Sequence, residues 1–235
     1  GYNGNNQYGY FNDVWKYNIN TNQWTWIKGG NAVHVPANYG TFGLGYGAST
    51  PSSRWKSVTW VDKYGHFWLF GGYGRTVSAA YGQLNDLWQY NPSSNEWIWM
   101  GGNNIIDQKA TYGTINIPAP SNKPGAKENA SSWVDSNGNF WLMGGYGFAT
   151  NSSSGYLNDL WKHTPNQIPE MATPSDVIFC GNTTSFSIPL YVQDLDNDSI
   201  SFSVFGIDPS ILNTSISFTH LGGSNYTLNG VLTGN

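Results

Sequence analysis

Three carboxylates stand at alternate positions in Val192-Gln-Asp-Leu-Asp-Asn-Asp-Ser199, namely Asp194, Asp196 and Asp198. Hard cations such as Ca2+ take oxygen ligands, and aspartates two residues apart in a turn supply that donor set. The segment departs from an EF-hand loop, because Ser199 replaces the sixth-position glycine and Phe205 the closing glutamate. A solvated Asx turn is the competing reading. A second acidic set, Asp13, Asp86 and Asp159, recurs at intervals of 73 residues. Each follows an asparagine, and the expectation is an Asn-Asp pair that caps a turn by bonding its own backbone. The histidines, at 34, 66, 163 and 220, are scattered. Glu96 and Glu128 offer no evident pair across a cleft for glycoside hydrolysis. Cys180 is the only cysteine, which rules out an internal disulfide and a multi-cysteine metal site. It reads as a buried free thiol or as one half of a bridge to a cysteine elsewhere.

The spacing of 73 governs most of the chain. Phe11-Asn-Asp-Val-Trp15 returns as Leu84-Asn-Asp-Leu-Trp88 and Leu157-Asn-Asp-Leu-Trp161. Phe67-Trp-Leu-Phe-Gly-Gly-Tyr-Gly74 returns as Phe140-Trp-Leu-Met-Gly-Gly-Tyr-Gly147, and Trp24-Thr-Trp26 as Trp97-Ile-Trp99. Each repeat of this kind is a supersecondary unit that buries its apolar face on its neighbours. A residue present in every unit is therefore first a candidate for scaffold. Four strand runs fall within one unit: Lys56–Val61, His66–Phe70, Asp86–Tyr90 and Trp97–Met100. The turn Asp62-Lys-Tyr-Gly65, matched by Asp135-Ser-Asn-Gly138, joins the first two as a hairpin. Gly-Gly-Tyr-Gly is expected to end the second, its glycines at 71, 72, 144 and 145 supplying positive φ. Four short antiparallel strands per unit describe a propeller blade.

The glycine doublet after an apolar strand, followed by Asn-Asp-Leu-Trp-x-Tyr-Asn-Pro-x-x-Asn-x-Trp, resembles the kelch motif over residues 1–165. That resemblance implies a β-propeller, and it raises galactose oxidase-like copper chemistry. Such chemistry needs a Tyr and His ligand cluster with a modified cysteine in the propeller, and here the cysteine lies outside the blades. Kelch units run near 50 residues. The excess here is a Gly/Pro/Asn-rich arm, Gly30–Ser53 and Asn103–Lys123, which holds register throughout: Tyr39-Gly-Thr41 matches Tyr112-Gly-Thr114, and Pro51 matches Pro124. A free loop would drift in length, so the arms are expected to be ordered. Gly1-Tyr2 is aligned with Gly72-Tyr73 and Gly145-Tyr146, which makes the chain begin within a unit. One full unit flanked by two partial ones cannot close a ring of four to eight blades. The remainder is expected from a longer chain or from other copies.

The pattern stops after Pro165. Residues 166–175 read as a linker with two prolines, and residues 176–235 lack tryptophan and alternate in period two, as in Ser185-Phe-Ser-Ile188 and Ile200-Ser-Phe-Ser-Val-Phe205. This predicts a small antiparallel sandwich. The Asp-rich turn at 194–198 resembles those of cadherin-like and immunoglobulin-like surface modules, and the segment is expected to stop short of a full domain.

Composition narrows the function classes. Only 10% of residues are charged while 16% are aromatic, the net charge is −4, and no basic cluster exists to neutralise phosphates, so nucleic acid is not the partner. No apolar run of 18 residues is present to span a bilayer. Amide and hydroxyl polarity of this kind suits an extracellular or cell-surface protein. Sequons stand at Asn129, Asn151, Asn182, Asn197, Asn213 and Asn225. The repeated tryptophans read as core. Trp55, whose counterpart is Glu128, is unrepeated and borders the arm, so it is a candidate to stack on a sugar or dock a partner; Tyr39 and Tyr112 on the arms share that expectation. The leading expectation is a non-catalytic structural or adhesive glycoprotein, a repeated subunit or part of a surface assembly or filament, requiring no cofactor, with Ca2+ at the aspartates as a candidate ligand. A carbohydrate-binding module is the alternative, and a copper oxidase-like enzyme the third.

Overall fold

The computed structural model describes residues 1–2, 7–45, 47–78, 80–165, 170–171, 185–193, 217–222 and 225–231. Those residues are all-β, with no helix among them and several small antiparallel sheets. The chain divides into two compact units, Gly1–Pro165 and Asn166–Asn235.

In the first unit the strands run β1 (Val14–Asn18), β2 (Gln23–Lys28), β3 (Arg54–Trp55), β4 (Val58–Val61), β5 (Phe67–Phe70), β6 (Tyr73–Arg75), β7 (Tyr81–Gln83), β8 (Leu87–Asn91), β9 (Glu96–Gly101), β10 (Lys127–Glu128), β11 (Ser131–Val134), β12 (Phe140–Met143), β13 (Tyr146–Phe148), β14 (Ser154–Tyr156) and β15 (Leu160–His163). The central repeat shows the whole pattern as a four-stranded antiparallel sheet in the order β4-β5-β8-β9. Its neighbours contribute β1-β2 on one side and β11-β12-β15 on the other.

One carboxylate organises each tight hairpin. Asp62 accepts from the backbone N–H groups of Tyr64 and His66, both at 2.9 Å, and from the Trp68 indole N–H at 2.9 Å. Asp135 takes the same bonds from Asn137, Asn139 and Trp141, at 2.9, 3.0 and 2.8 Å. An Asp at the first position of the turn thus fixes the backbone and orients the tryptophan of the following strand. At the far hairpin Asn91 accepts from Ser93 and Ser94, and Asn95 takes a left-handed φ of 56°.

The glycine doublet does more than end a strand. It turns the chain into a second sheet, β3-β6-β7, repeated as β10-β13-β14, which the linear pattern conceals because these strands are two or three residues long. Gly72 has φ 92°, and a Cβ there would sit 2.6 Å from the Trp55 carbonyl oxygen. Gly145 repeats this against the Glu128 carbonyl at 2.7 Å. Both the conformation and the close approach demand glycine. The N-terminal alignment needs correction by two residues. Gly1 exchanges bonds with Gly9, and Tyr2 bridges Tyr8, which are the pairings of Gly74 with Gly82 and Arg75 with Tyr81. Gly1-Tyr2 therefore corresponds to Gly74-Arg75.

Successive sheets pack face to face. Val58, Trp60, Trp68 and Phe70 lie on one face of β4 and β5, as period two requires, and share a buried cluster with Phe140 and Leu142 of the next repeat. Trp60 stacks on Phe140 with centroids 5.2 Å apart and planes 6° apart, and its indole N–H donates to the Trp141 carbonyl at 3.2 Å. The other face of the central sheet, with Trp88, Tyr90 and Trp97, packs under Ala37 and Tyr39 of the preceding arm and against Val14 and Ile27.

The described residues of the second unit form an antiparallel sheet of β16 (Glu170–Met171), β17 (Ser185–Gln193), β18 (Ser217–Gly222) and β19 (Asn225–Val231), in the order β16-β17-β19-β18. The Asn229 side chain ties β17 to β18 through Ser187 and Thr219. Asp194, Asp196, Asp198 and Cys180 lie outside the described residues, as do Asn182, Asn197 and Asn213.

Removing the Trp60 ring opens the seam between two repeats without touching a turn. Trp60→Ala is expected to cost about 3–5 kcal/mol of unfolding free energy, read from the shift in urea midpoint.

Candidate functional site

The structure assigns the repeated acidic residues a role the linear pattern did not suggest. Asp86 is fully buried, and its carboxylate bonds side chains rather than its own turn. It accepts two bonds from the Arg54 guanidinium at 2.6 and 2.7 Å, one from the Tyr39 hydroxyl at 2.9 Å and one from the Trp88 indole at 2.8 Å. Tyr39 lies 5.1 Å from Trp88 between centroids and 5.0 Å from Trp99. Burial, then the Asp86 charge, pushes the Tyr39 hydroxyl far up, so it stays a neutral donor. The partners come from the preceding repeat: Tyr39 from its arm, Arg54 from the strand that follows the arm.

The same clasp forms 73 residues on. Asp159 accepts from Lys127 at 2.7 Å, Tyr112 at 2.9 Å and Trp161 at 2.7 Å, and Tyr112 stacks on Trp161 at 5.1 Å. Burial pulls the Lys127 ammonium down against the opposing pull of Asp159, while Lys127 and the other donors hold the Asp159 carboxyl below its usual value despite burial. The Tyr112 hydroxyl is raised to about 12, by burial first and then by Asp159. Tyr39 and Tyr112 are thus spent as inter-repeat fasteners. Tyr39 in particular is buried and presents no ring to a sugar or partner, which corrects its reading as a contact residue.

The asparagine before each Asp pins the arm. Asn85 accepts from the Asn103 N–H at 3.0 Å and donates to the Pro124 carbonyl at 3.3 Å, so one amide holds both ends of the arm. Asn12 does the same with Gly30 at 2.9 Å and Pro51 at 3.1 Å. Within each arm, Asn38 bridges Thr50 and Thr111 bridges Lys123. The arms are ordered because a fixed span of chain must deliver tyrosine and cation to one carboxylate.

Trp55 lies elsewhere, in an aromatic group that no other repeat reproduces. Tyr10 stacks on Trp55 with centroids 5.6 Å and planes 14° apart. Tyr10 also meets His34 at 5.6 Å, Tyr73 at 6.3 Å and Tyr81 at 6.2 Å edge-on. The counterparts of Tyr10, His34, Trp55 and Tyr81 are Gln83, Asp107, Glu128 and Ser154, so the group arises once. Glu128 itself comes back to this place. Its Oε2 is buried without a hydrogen-bond partner and stands 3.9 Å from Lys56 Nζ, beyond bonding distance, while that ammonium lies 4.4 Å from the Trp55 ring centroid. His34 Nδ1 is a second buried atom without a partner. Burial, the neighbouring tyrosines and Glu128 together raise the Tyr10 hydroxyl above its ordinary value. Trp55 is the exposed ring of this group, and an exposed aromatic face near polar atoms that make no hydrogen bond is an arrangement suited to a small polar ligand. A search for what is not repeated would have found Tyr10, His34 and Tyr81; only Trp55 was singled out.

Asn129, Asn151 and Asn225 are exposed, and Asn129 sits in a left-handed turn with φ 57°. Among the described residues, no group of three His, Cys, Asp or Glu side chains is placed to hold a metal ion. Among them too, no helix is long and apolar enough to cross a membrane.

No family model matches the chain, and no curated protein matches it. Among solved structures, one titled "Structure of YjhT" is similar at 22% identity over 43% of this chain and 23% of that one, with a TM-score of 0.29. A superposition that loose leaves the architecture to be read from this chain's own strands.

Asp159 and Asp62 are both held below the usual carboxylate value. Their stabilisation is present above the unfolded value, about 4, and is lost as pH falls through the lower folded values. Asp159→Asn strands a buried ammonium and is expected to cost about 3 kcal/mol at pH 7 while flattening the acid limb of the stability curve, followed by thermal unfolding between neutral and acid pH.

Proposed function

We propose that this chain is a non-catalytic structural or adhesive protein of the cell exterior, built of kelch-like β-propeller blades and joined to an immunoglobulin- or cadherin-like module. The observation that carries this reading is the clasp. Each arm spends its tyrosine, and the cation that follows it, on the carboxylate of the next repeat, so the most regular polar groups of the chain serve to fasten units into a rigid array. Glycans on the exposed sequons would coat that array. The function is then shape and assembly with other copies or further repeats. Sedimentation across micromolar concentrations is expected to show reversible association; one monomeric species throughout would overturn the reading.

A carbohydrate-binding reading is favoured by one specific observation, the unrepeated Trp55 group with two buried atoms that make no hydrogen bond, His34 Nδ1 and Glu128 Oε2. Trp55 and Tyr10 would give the stacking surface, and Glu128 and His34 the hydroxyl contacts. A sugar found by glycan-array screening should quench tryptophan emission, and Trp55→Ala should weaken it roughly tenfold. Silence across the array with the parent chain would remove this reading.

A further inference from the structure

Among the described residues, three aspartates are of the clasp type and two of them form clasps. Asp86 and Asp159 each hold a tyrosine hydroxyl and a cation from the repeat before them. Asp13 stands at the same register position and keeps the third element, since Trp15 donates its indole N–H to Asp13 at 2.6 Å. Among the described residues it accepts from nothing else, and the carboxylate is exposed. The aromatic face beside it is bare as well. Trp15, Tyr17 and Trp24 are 50%, 41% and 65% exposed, whereas their counterparts Trp88, Tyr90 and Trp97 are 0%, 3% and 7% exposed.

The sequence of the two faces is nearly the same; the difference is that β8-β9 has an arm over it and β5 paired beside it, while β1-β2 has neither among the described residues. Over Trp88 lie Ala37 and Tyr39 of an arm, and Leu69 stands beside it as its paired residue on β5. The structure therefore displays, on its own central repeat, the kind of surface that fits the bare one. Four exposed rings, with Trp26 as the fourth, pack in pairs: Trp15 stacked on Trp26 at 6.3 Å and Tyr17 tilted against Trp24 at 4.9 Å. An apolar face of this size with an unpaired carboxylate at its edge is a docking surface rather than an ordinary exposed face.

We infer that the face formed by Asp13, Trp15, Tyr17, Trp24 and Trp26 is a socket for an arm-bearing repeat of this same kind. The arriving segment carries a tyrosine and, 15 residues later, an arginine or lysine, as Tyr39 and Arg54 do and as Tyr112 and Lys127 do. The tyrosine stacks on Trp15 and its hydroxyl donates to Asp13. The cation takes the remaining carboxylate lone pairs, which the exposed Asp13 has free, and the apolar residues of the arm cover Trp24 and Tyr17. Charge decides the class of partner, because a carboxylate that becomes buried needs a cation with it. Arginine is the better fit, since its fork can engage both oxygens as Arg54 does on Asp86. The proposal deepens the structural reading above and rests on it.

The test keeps the whole chain and places a duplicate of residues 1–73 directly before Gly1, which preserves the 73-residue register and sets the duplicate arm against the original Asp13. In the parent chain Asp13→Asn is expected to leave the thermal midpoint within about 1 °C, as for an exposed surface group. In the extended chain the same substitution should lower the midpoint by roughly 4 °C or more, because it now strands a buried cation. Acrylamide quenching should show Trp15 protected in the extended chain, judged against Trp15→Phe. It should show Trp15 open again when the duplicate arm carries its Arg54→Met and Tyr39→Phe equivalents. An Asp13→Asn change that is equally silent in both chains, or a Trp15 that stays open to quencher beside an intact duplicate, overturns the socket. Sedimentation of the parent tests assembly separately, so failure of one result is distinguishable from failure of the other.

Discussion

A buried carboxylate cannot stand alone in a protein interior, and most of this structure follows from how Asp86 is neutralised. Taking that charge out of water is unfavourable by several kcal/mol unless a cation and hydrogen-bond donors come with it. Arg54, Tyr39 and Trp88 supply them, and two of the three belong to the repeat before. The requirement is satisfied only if the arm runs from Gly30 to Ser53 along one path. Asn12 enforces that path by holding both ends. Arm length, tyrosine register, the cation at 54 or 127 and the Asn-Asp pair are thus one solution to one electrostatic constraint.

The clasp also explains why the repeats adhere as they do. Sheet-to-sheet packing through Trp60 and Phe140 supplies apolar burial, but flat aromatic contacts tolerate sliding. A bidentate Arg–carboxylate bond does not, because both its distances and its plane are fixed. Hydrophobic seam and polar clasp divide the work between attraction and register. The lysine version at Asp159 makes a single bond from a point charge, so the second clasp is the looser of the two. The group around Trp55 has a different logic. It sits where the repeat is broken, with Tyr10, His34, Trp55 and Tyr81 standing where the next unit has the non-aromatic Gln83, Asp107, Glu128 and Ser154. Variation laid on an invariant frame is how repeat proteins acquire a surface for a single partner.

Much of the fold was legible in the residues. Alternation in Val58-Thr-Trp-Val61 and the Asp-x-x-Gly turn at 62–65 give two strands and their hairpin, because period two and turn chemistry act over neighbours in sequence. The arms were legible as ordered from their constant length. The short strands β6 and β7 were not, since three residues with two glycines carry no periodicity. Trp55 drew notice because its type changed between units, while Tyr10 and His34 escaped because neither stands in a strand run.

By itself the sequence determined the repeat, its all-β character, its hairpins and the expectation that the arms are fixed, since each depends on local chemistry copied at a constant interval. It could not say what Asp86 does. An Asn-Asp pair before a strand has the composition of a local turn cap, and only the tertiary structure brings Tyr39 and Arg54, 47 and 32 residues away, onto that carboxylate. The tertiary structure also decided that identical tryptophans differ in fate. Trp15 and Trp88 share their sequence neighbourhood, yet one is exposed and the other buried, because burial belongs to the arm and the flanking strand that reach Trp88 from elsewhere in the chain.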